Sequence, residues 1–332
     1  MKSALPKRKN GFAVRLIAMI ALLTVLISLA ACKDQDDPTA PETTAGSEST
    51  STTQLSSQPA PENTVTMRVA TKINVRSRPD VDAPSVAGLS IGAEVQVISS
   101  ENGWSKIWLD GHEGYLPAEV LREPGHYVIV IDAGHQRKAN TDTEAIGLGA
   151  SKVEQKATVG AKGVSTGLDE YELNLKVALK LRDILQARGY KVMMIRTHNE
   201  VDISNMERAE VANLLYADAF IRIHASSDKD ASVTGITTVC QTKDNPYNST
   251  LYKLSRELSE RVLDEMVTAT GGNKRGVEET DTVAGINWSL VPVTTVNMGY
   301  MSNPEEDERM ATDDYQQKLA EGIANGIDQF FG

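Results

Sequence analysis

Two apolar segments of the chain each end by presenting a histidine. Residues 127–136, YVIVIDAGHQ, run through five apolar or aromatic residues into Asp132, a glycine turn and His135. The later segment AFIRIHASS repeats this pattern and presents His224. A continuous apolar run has no polar face, which is typical of a strand that is covered on both sides. We therefore expect both histidines to lie just beyond the ends of buried strands.

A carboxylate is needed beside these two imidazoles if they bind a metal. Ligands in open α/β sheets bind at the carboxyl ends of the strands. Glu170 stands just ahead of the first long helical pattern and is the best-placed carboxylate, with Asp169 and Glu172 as alternatives on position alone. Two imidazoles, one carboxylate and an open position make a catalytic zinc site. Position therefore predicts a zinc site made of His135, His224 and one of these carboxylates, with Glu170 the first candidate.

The elements that must position these residues follow an alternating pattern from His126 onward. The segment EYELNLKVALKLRDILQARG has apolar residues at helical spacing and ends near Gly189. A second helix is predicted to begin at Ser204, because Glu207 three residues later completes a capping box. Strands that alternate with helices in this way indicate an α/β fold with a mostly parallel sheet and helices on both faces.

Five ordered motifs make this large domain similar to a known family. They are VIVIDAGH, TGLDEYELNLKVALKL, RAEVAN, FIRIHAS and GYMSNPEED. Together they resemble the zinc-dependent N-acetylmuramoyl-L-alanine amidases of the amidase-3 type over residues 126–332. The resemblance implies that His135, Glu170 and His224 bind Zn²⁺. It also implies peptidoglycan as the substrate, cut at the amide between N-acetylmuramic acid and the L-alanine of the stem peptide.

One position departs from the family's pattern. The family has a catalytic glutamate where the stretch PVTTVNMGY places Asn297. Zinc lowers the pKa of bound water to around 7 and polarises the carbonyl, but it cannot protonate the departing amine. A positioned acid or base typically contributes about 10²- to 10⁴-fold, and asparagine cannot carry that proton. Asn297 can still donate a hydrogen bond to the water or to the developing oxyanion.

Three outcomes are open at this position. Glu278, Glu279 or Asp281 can reach the site and substitute, or the domain can be a slow amidase. Alternatively, it can be an inactive amidase-like protein that binds the cell wall or regulates a partner. We expect intact zinc binding and activity at least about a hundredfold below that of an Asn297→Glu variant.

A smaller pattern occupies residues 65–122. Short alternating stretches are separated by turn residues, and Asp110-Gly111 between WSKIWL and HEGYL indicates a hairpin. About five short strands predict a small all-β barrel, and INVRSRP, GWSKI and GYLPAEVL resemble a bacterial SH3-like domain. The resemblance implies docking on the cell wall, and a spacer without a ligand is the alternative. Trp104, Trp108 and Tyr115 are either exposed contacts or barrel core.

The N-terminal residues 1–31 are predicted to be a signal peptide, because basic residues precede a long apolar run. That run ends in LAAC, which resembles the lipobox of bacterial lipoproteins and implies cleavage before Cys32 and lipidation of its thiol. An uncleaved membrane anchor is the alternative, and either interpretation places the rest of the chain outside the cytoplasm. Residues 32–64 are predicted to be a disordered linker beginning at the lipidated cysteine.

Composition sets broad limits on the class of protein. The 332 residues are 40% hydrophobic and 24% charged, which is enough for a core and about two domains. A formal charge of −11 argues against a nucleic-acid partner. With only Cys32 and Cys240 present, a disulfide framework is excluded, and Cys240 is predicted to be a buried strand thiol.

A long polar and glycine-rich segment, residues 136–169, separates two of the predicted ligands. Loops of this size in a compact domain are usually functional or disordered. We expect this segment to form a rim over the substrate groove.

Overall fold

The computed structural model describes residues 59–332. The predicted signal peptide, the lipidation site Cys32 and most of the predicted linker lie outside these residues. Within the described range, no helix combines the length and the apolar character needed to cross a bilayer.

Residues 65–122 form one antiparallel sheet of seven short strands, more than the five or so that the turns indicate. The strands are β1 (Val65–Val69), β2 (Ile73–Arg76), β3 (Ser85–Leu89), β4 (Glu94–Glu101), β5 (Trp104–Leu109), β6 (His112–Pro117) and β7 (Leu121–Arg122). A 3₁₀ turn, Ala118–Val120, precedes β7. Asp110 and Gly111 have φ of 48° and 88°, as a two-residue hairpin turn between β5 and β6 requires. The predicted hairpin is confirmed.

The core of this module is aliphatic. Val69, Val75, Ile107 and Leu116 are among its buried members. The three aromatic side chains at Trp104, Trp108 and Tyr115 are only partly buried and lie outside that core. Trp104 and Tyr115 instead line a surface cavity of about 590 Å³ together with Lys106.

The large domain contains a six-stranded sheet and a separate hairpin. Its strands are β8 (Val128–Ala133), β9 (Asn140–Ala145), β10 (Val153–Ala157), β11 (Lys191–Met194), β12 (Ala219–Ser226), β13 (Ile236–Cys240), β14 (Lys274–Glu279) and β15 (Val293–Tyr300). The sheet order is β11-β8-β12-β15-β13-β14, whereas β9 and β10 pair only with each other. Within this sheet, the β13–β15 pairing is antiparallel and the other four pairings are parallel.

Six α-helices accompany the sheet. They are α1 (Glu170–Ala187), α2 (Asn205–Leu214), α3 (Tyr252–Thr270), α4 (Ala284–Asn287), α5 (Pro304–Met310) and α6 (Asp313–Phe331), and a 3₁₀ turn, Ser249–Leu251, precedes α3. The predicted capping box is confirmed, because the Ser204 side chain accepts from the Glu207 amide and the Glu207 side chain accepts from the Ser204 amide. Gly189 follows α1 with φ of 91°, as a helix-ending glycine does.

The sheet is covered on both faces, because successive strand residues point in opposite directions. Ile129 and Ile131 of β8 belong to a core shared with α1, α3 and α6. Val130 between them belongs to a second core, shared with α2 and α4. The predicted α/β fold with helices on both faces is confirmed. Cys240 is buried and free, and burial raises the pKa of its thiol to about 11, consistent with the predicted inert strand thiol.

Polar contacts join the β-rich module to the large domain. Arg68 of β1 pairs with the buried Asp218 at 2.7 Å and stacks over the Tyr127 ring at 4.6 Å from the centroid. Arg122 donates to the carbonyl of Leu215 at 3.0 Å. These contacts lie at the amino-terminal end of β8, whereas the predicted ligand His135 follows its carboxyl end.

Candidate metal centre

The loop after β8 presents His135 in a constrained backbone conformation. His135 has φ of 64°, in the left-handed region that non-glycine residues rarely adopt, at a cost on the order of 1–2 kcal/mol. The preceding amide of Gly134 donates to the carbonyl of Ile223 at 2.9 Å, which ties the loop to β12. Strain of this kind persists where the surrounding structure fixes it, and it clusters at functional sites.

The structure brings the three predicted ligands together. Nε2 of His135 lies 3.1 Å from Oε1 of Glu170 and 3.1 Å from Nδ1 of His224. Nδ1 of His224 lies 3.3 Å from the same Glu170 oxygen. Each residue therefore directs one lone-pair atom towards a common point.

The spacing of these atoms fits a tetrahedral metal site. Zinc bonds of about 2.0–2.1 Å at tetrahedral angles separate neighbouring ligand atoms by about 3.3–3.4 Å. Burial lowers the pKa of His224 to about 4, so its ring is neutral at neutral pH and adds no positive charge to this group of three residues. Two deprotonated ring nitrogens and a carboxylate oxygen can share one cation, and these three atoms all lie within 4.8 Å of one another. The residues therefore fit a divalent metal.

Neighbouring groups fix the orientation of each ligand. Nδ1 of His135 contacts the Thr158 hydroxyl at 2.8 Å and the Thr158 carbonyl at 3.2 Å, which leaves Nε2 for a metal. The buried Glu170 carboxylate accepts from the amide of Ala161 at 2.7 Å and from the amide of Ala225 at 3.1 Å. Burial alone would raise the pKa of Glu170, but its hydrogen bonds with the two histidines hold the pKa well below its ordinary value.

The two alternative carboxylates make other contacts. Asp169 pairs with Lys162 at 2.8 Å and accepts from the Tyr171 hydroxyl at 3.1 Å. Glu172 faces Arg137 at 3.9 Å. Glu170 is the member of the three that meets the histidines, because the first residue of α1 points back over the strand ends.

Comparison with known proteins identifies the family. Residues 129–329 match the N-acetylmuramoyl-L-alanine amidase family, and residues 71–122 match the bacterial SH3 domain family. The chain belongs to this amidase family.

Three similar proteins illustrate the range of the match. An uncharacterized protein of Bacillus subtilis, YqiI, is 30% identical over 168 residues, which cover 51% of this chain and 77% of that protein. The N-acetylmuramoyl-L-alanine amidase LytC of Bacillus subtilis is 26% identical over 247 residues, which cover 73% of this chain and only 44% of LytC. The crystal structure of the amidase Ami1 from Mycobacterium smegmatis has the same fold, with a TM-score of 0.57, 24% identity and coverage of 63% of this chain and 97% of Ami1.

Two glycines of the amidase domain leave space for the ligands. A Cβ atom at Gly134 would lie 2.2 Å from Cε1 and Nε2 of His224. A Cβ atom at Gly160, where φ is 80°, would lie 2.5 Å from Oε2 of Glu170 and 2.7 Å from the His135 ring. The backbone therefore approaches the site so closely that a side chain at either glycine would displace a ligand.

Substitution of Gly134 by alanine is expected to weaken metal binding about 10- to 100-fold, as loss of a group that orients a ligand does. The added methyl group must move the His224 ring, whose Nε2 is already buried against this glycine. Isothermal titration of metal-free protein with zinc measures the effect. Gly88→Ala is the matched control, because its Cβ would meet the nearest atom at an ordinary 3.6 Å. Equal zinc affinity in both variants would refute the prediction.

Buried arginines, which the sequence motifs did not reveal as site residues, hold the loop that carries His135. Arg196 donates to the carbonyls of Ala133 at 2.7 Å and Gly134 at 3.0 Å. Arg208 donates to the carbonyl of His135 at 3.2 Å and pairs with Asp132 at 2.6 Å. A third arginine, Arg222 of β12, pairs with the same aspartate at 3.1 Å. An arginine within the apolar run AFIRIHASS, two residues before His224, was a usable signal, because residues i and i+2 share one face of a strand.

Asn297 lies beside the candidate metal site. It is opposite His224 in the parallel pairing of β12 with β15, and its Nδ2 donates to the Thr237 hydroxyl at 3.1 Å. Asn297, His135 and His224 line one cavity of about 450 Å³. The position that the resemblance assigns to a catalytic glutamate therefore lies in the wall of the candidate site.

The three carboxylates proposed as replacements do not line this cavity among the described residues. Glu278 is exposed, and Glu279 pairs with Arg256 at 2.6 Å. Asp281 accepts from the Thr242 hydroxyl at 2.7 Å and from the side-chain amide of Asn245 at 2.6 Å. Each of the three therefore lies at the surface or binds other partners, away from the candidate metal site.

The segment between the first two ligands is partly ordered as the β9–β10 hairpin, rather than a structureless loop. The hairpin has a regular antiparallel register from Val153 opposite Ala145 to Gln155 opposite Thr143. Glu154, Gln155 and Thr158 from this segment line the cavity that contains His135 and His224. The segment thus forms one wall above the candidate metal site.

Proposed function

We propose that residues 129–329 form a zinc-dependent amidase that hydrolyses the bond between N-acetylmuramic acid and L-alanine in peptidoglycan. The observation that carries the proposal is the convergence of His135, Glu170 and His224 on one point with separations of 3.1–3.3 Å. Family membership supports the same activity.

The residues around this point are proposed to have different roles in the reaction. When bound by the three ligands, zinc supplies a Lewis acid that polarises the amide carbonyl and lowers the pKa of water. The Thr158 contacts keep the His135 ring in one orientation, and the amides of Ala161 and Ala225 do the same for Glu170. Asn297, on the wall of the same cavity, is proposed to donate a hydrogen bond to an oxygen of the reacting amide.

The chain is proposed to act outside the cytoplasm, anchored to the membrane by lipidation of Cys32. The predicted signal peptide and lipobox support this placement. The SH3 match supports docking of residues 65–122 on the cell wall, and the cavity lined by Trp104 and Tyr115 is the candidate contact surface. A nucleic-acid partner is not proposed, because the net charge of −11 is unfavourable for one.

Removal of the metal is expected to stop release of the stem peptide from purified peptidoglycan, because the metal supplies the Lewis acid that polarises the carbonyl. The measurement is the appearance of new alanine amino groups with native protein, with chelator-treated protein and after addition of zinc. Activity that is lost on chelation and regained with zinc supports the proposal. Release that continues at the same rate in metal-free protein would contradict it.

A second candidate function is an inactive amidase-like protein that binds the cell wall or regulates a partner. The observation that favours it is Asn297, which cannot transfer a proton at the position of the family's glutamate. Comparison of the native protein with Asn297→Glu separates the two functions. An inert native protein beside an active variant would establish the second. If nothing else replaces the carboxylate, the native enzyme is at least about a hundredfold slower than the variant.

A further inference from the structure

A carboxylate that the sequence motifs do not single out lies in the wall of the candidate active site. Glu154 of β10 is partly buried and lines the same cavity as His135, His224 and Asn297. We infer that Glu154 is the catalytic acid and base of this chain, supplied by the hairpin in place of the carboxylate that Asn297 lacks. This inference rests on the proposed amidase function.

A chain of hydrogen bonds holds Glu154 in position. Arg222, paired with Asp132, donates from Nη2 to Oδ1 of Asn205 at 3.1 Å. The other end of that amide, Nδ2 of Asn205, donates to Oε1 of Glu154 at 3.0 Å. If the Asn205 side-chain amide were flipped, its NH₂ group would face the Arg222 donor and its oxygen would face the Glu154 carboxylate oxygen. Both contacts would then be unfavourable. The chain therefore runs in one direction, from the β8 strand end to the hairpin carboxylate.

The surroundings of Glu154 suit proton transfer. Burial raises the pKa of Glu154, and the nearby carboxylate of Glu144 raises it further, while a backbone hydrogen bond from Ala284, the charge of Arg222 and the Asn205 amide lower it. The net direction is upward, towards neutral pH. A carboxyl group whose pKa moves towards the working pH is a better acid and base than one at its ordinary value.

The neighbouring Glu144 does not compete for this role. Its Oε1 accepts from the amide of Met206 at 3.1 Å, within the first turn of α2. It is buried and, among the described residues, is not part of the cavity wall that contains His135. Among the described residues, Glu154 is therefore the carboxylate residue that lines this cavity beside His135 and His224.

The proposed step is a hydrolysis with a balanced proton transfer. The oxygen of one water molecule adds to the amide carbonyl carbon, and ionised Glu154 accepts a proton from that water. The C–N bond then breaks, and protonated Glu154 gives the same proton to the departing nitrogen of L-alanine. The products are the carboxylic acid of the muramic acid and a free amine, and Glu154 ends in its starting form.

The test compares the full-length native protein with Glu154→Gln, Asn297→Glu and the variant that carries both substitutions. Glu278→Gln is the matched control, because it removes an exposed carboxylate outside the cavity. The appearance of new alanine amino groups in peptidoglycan, zinc per protein and the pH dependence of the rate are measured for each. We expect Glu154→Gln to lower kcat at least about 100-fold with unchanged zinc content, and Glu278→Gln to remain within about twofold of native.

Two further results distinguish a catalytic role from a structural one. Asn297→Glu should restore the Glu154→Gln protein to within about tenfold of native, because either position then supplies one carboxylate. The acid limb of the native rate profile should disappear in Glu154→Gln and persist in Glu278→Gln. A residue that merely supports the fold would give neither result.

The melting temperature controls for misfolding. A carboxyl group with a raised folded-state pKa contributes stability below its unfolded pKa, and this contribution is lost as pH rises through the folded pKa. The ionised Glu154 is therefore a destabilising group at neutral pH, and Glu154→Gln should melt no lower than native. A lower melting temperature would mark Glu154 as a structural residue and count against the inference.

The failures of the inference and of the proposed function are distinguishable. A native protein that frees alanine amino groups, together with Glu154→Gln that works within about threefold of it, overturns the role of Glu154 and leaves the amidase function intact. A native protein that frees no alanine amino groups from peptidoglycan overturns both.

Discussion

Replacement of His224 by alanine is expected to abolish stable metal binding and to lower the rate of stem-peptide release at least about 10³-fold, the equivalent of about 4 kcal/mol of transition-state stabilisation. His224 contributes one of three convergent lone-pair atoms, within 3.3 Å of both other ligand atoms. Two remaining ligands bind a divalent ion far more weakly. The fold should persist, because Nε2 of His224 has no hydrogen-bond partner and its loss leaves no group unpaired there.

Metal analysis after dialysis and the rate of stem-peptide release measure the two effects. His198→Ala is the matched control, since His198 is exposed and only its backbone carbonyl makes a described hydrogen bond. His224→Ala protein that retains one zinc per chain and native activity would exclude this ring from the site.

The main features of the site were predictable because they depend on strand ends and helix starts. Apolar runs located β8 and β12, and parallel pairing brings their carboxyl ends to one edge of the sheet, where His135 and His224 meet. Glu170 was placed by the same logic, as the first residue of α1. Local patterns also sufficed for the Ser204 capping box, because such signals involve residues only three apart.

The contribution of the hairpin could not be predicted from local patterns. In VEQKA the alternation is misleading, because Val153 and Ala157 share one face and Glu154 and Lys156 the other, yet Val153 is exposed and Glu154 is partly buried. The position of Glu154 depends on where the β9–β10 pair docks, which is set by contacts with α2, distant in sequence, such as that with Asn205. Glu278, Glu279 and Asp281 were plausible replacements for the catalytic carboxylate only while the position of the β9–β10 hairpin was unknown.

The partners of Asp132 were hidden for a related reason. The motif VIVIDAGH marks the aspartate, but the sequence does not say which cations neutralise it. Arg208 comes from α2 and Arg222 from β12, which are 76 and 90 residues away in the chain. Their convergence follows from sheet order and helix packing, which no local pattern contains.

Substitution of Asp132 by asparagine is expected to lower the free energy of unfolding by about 3–5 kcal/mol. Asp132 is fully buried and lies between the buried arginines Arg208 and Arg222 at 2.6 and 3.1 Å. Asparagine removes the negative charge and leaves two buried guanidinium groups without a counterion. Chemical denaturation of native and variant proteins at constant pH measures the difference. Asp244→Asn, at an exposed position, is the control and should change stability by less than about 0.5 kcal/mol.

The pH dependence of this difference has a definite sign. Burial alone would raise the pKa of Asp132, but the charges of Arg208 and Arg222 outweigh it and hold the pKa far below its ordinary value. A depressed folded-state pKa contributes stability that is present above the unfolded pKa of about 3.9 and is lost as pH falls below it. The gap between native and Asp132→Asn should therefore be constant at neutral pH and narrow below about pH 4. A difference in the free energy of unfolding that is absent at pH 7, or that widens in acid, would contradict this. It would show that Asp132 does not stabilise the two arginines, which support the loop of His135 and the contact between Asn205 and Glu154.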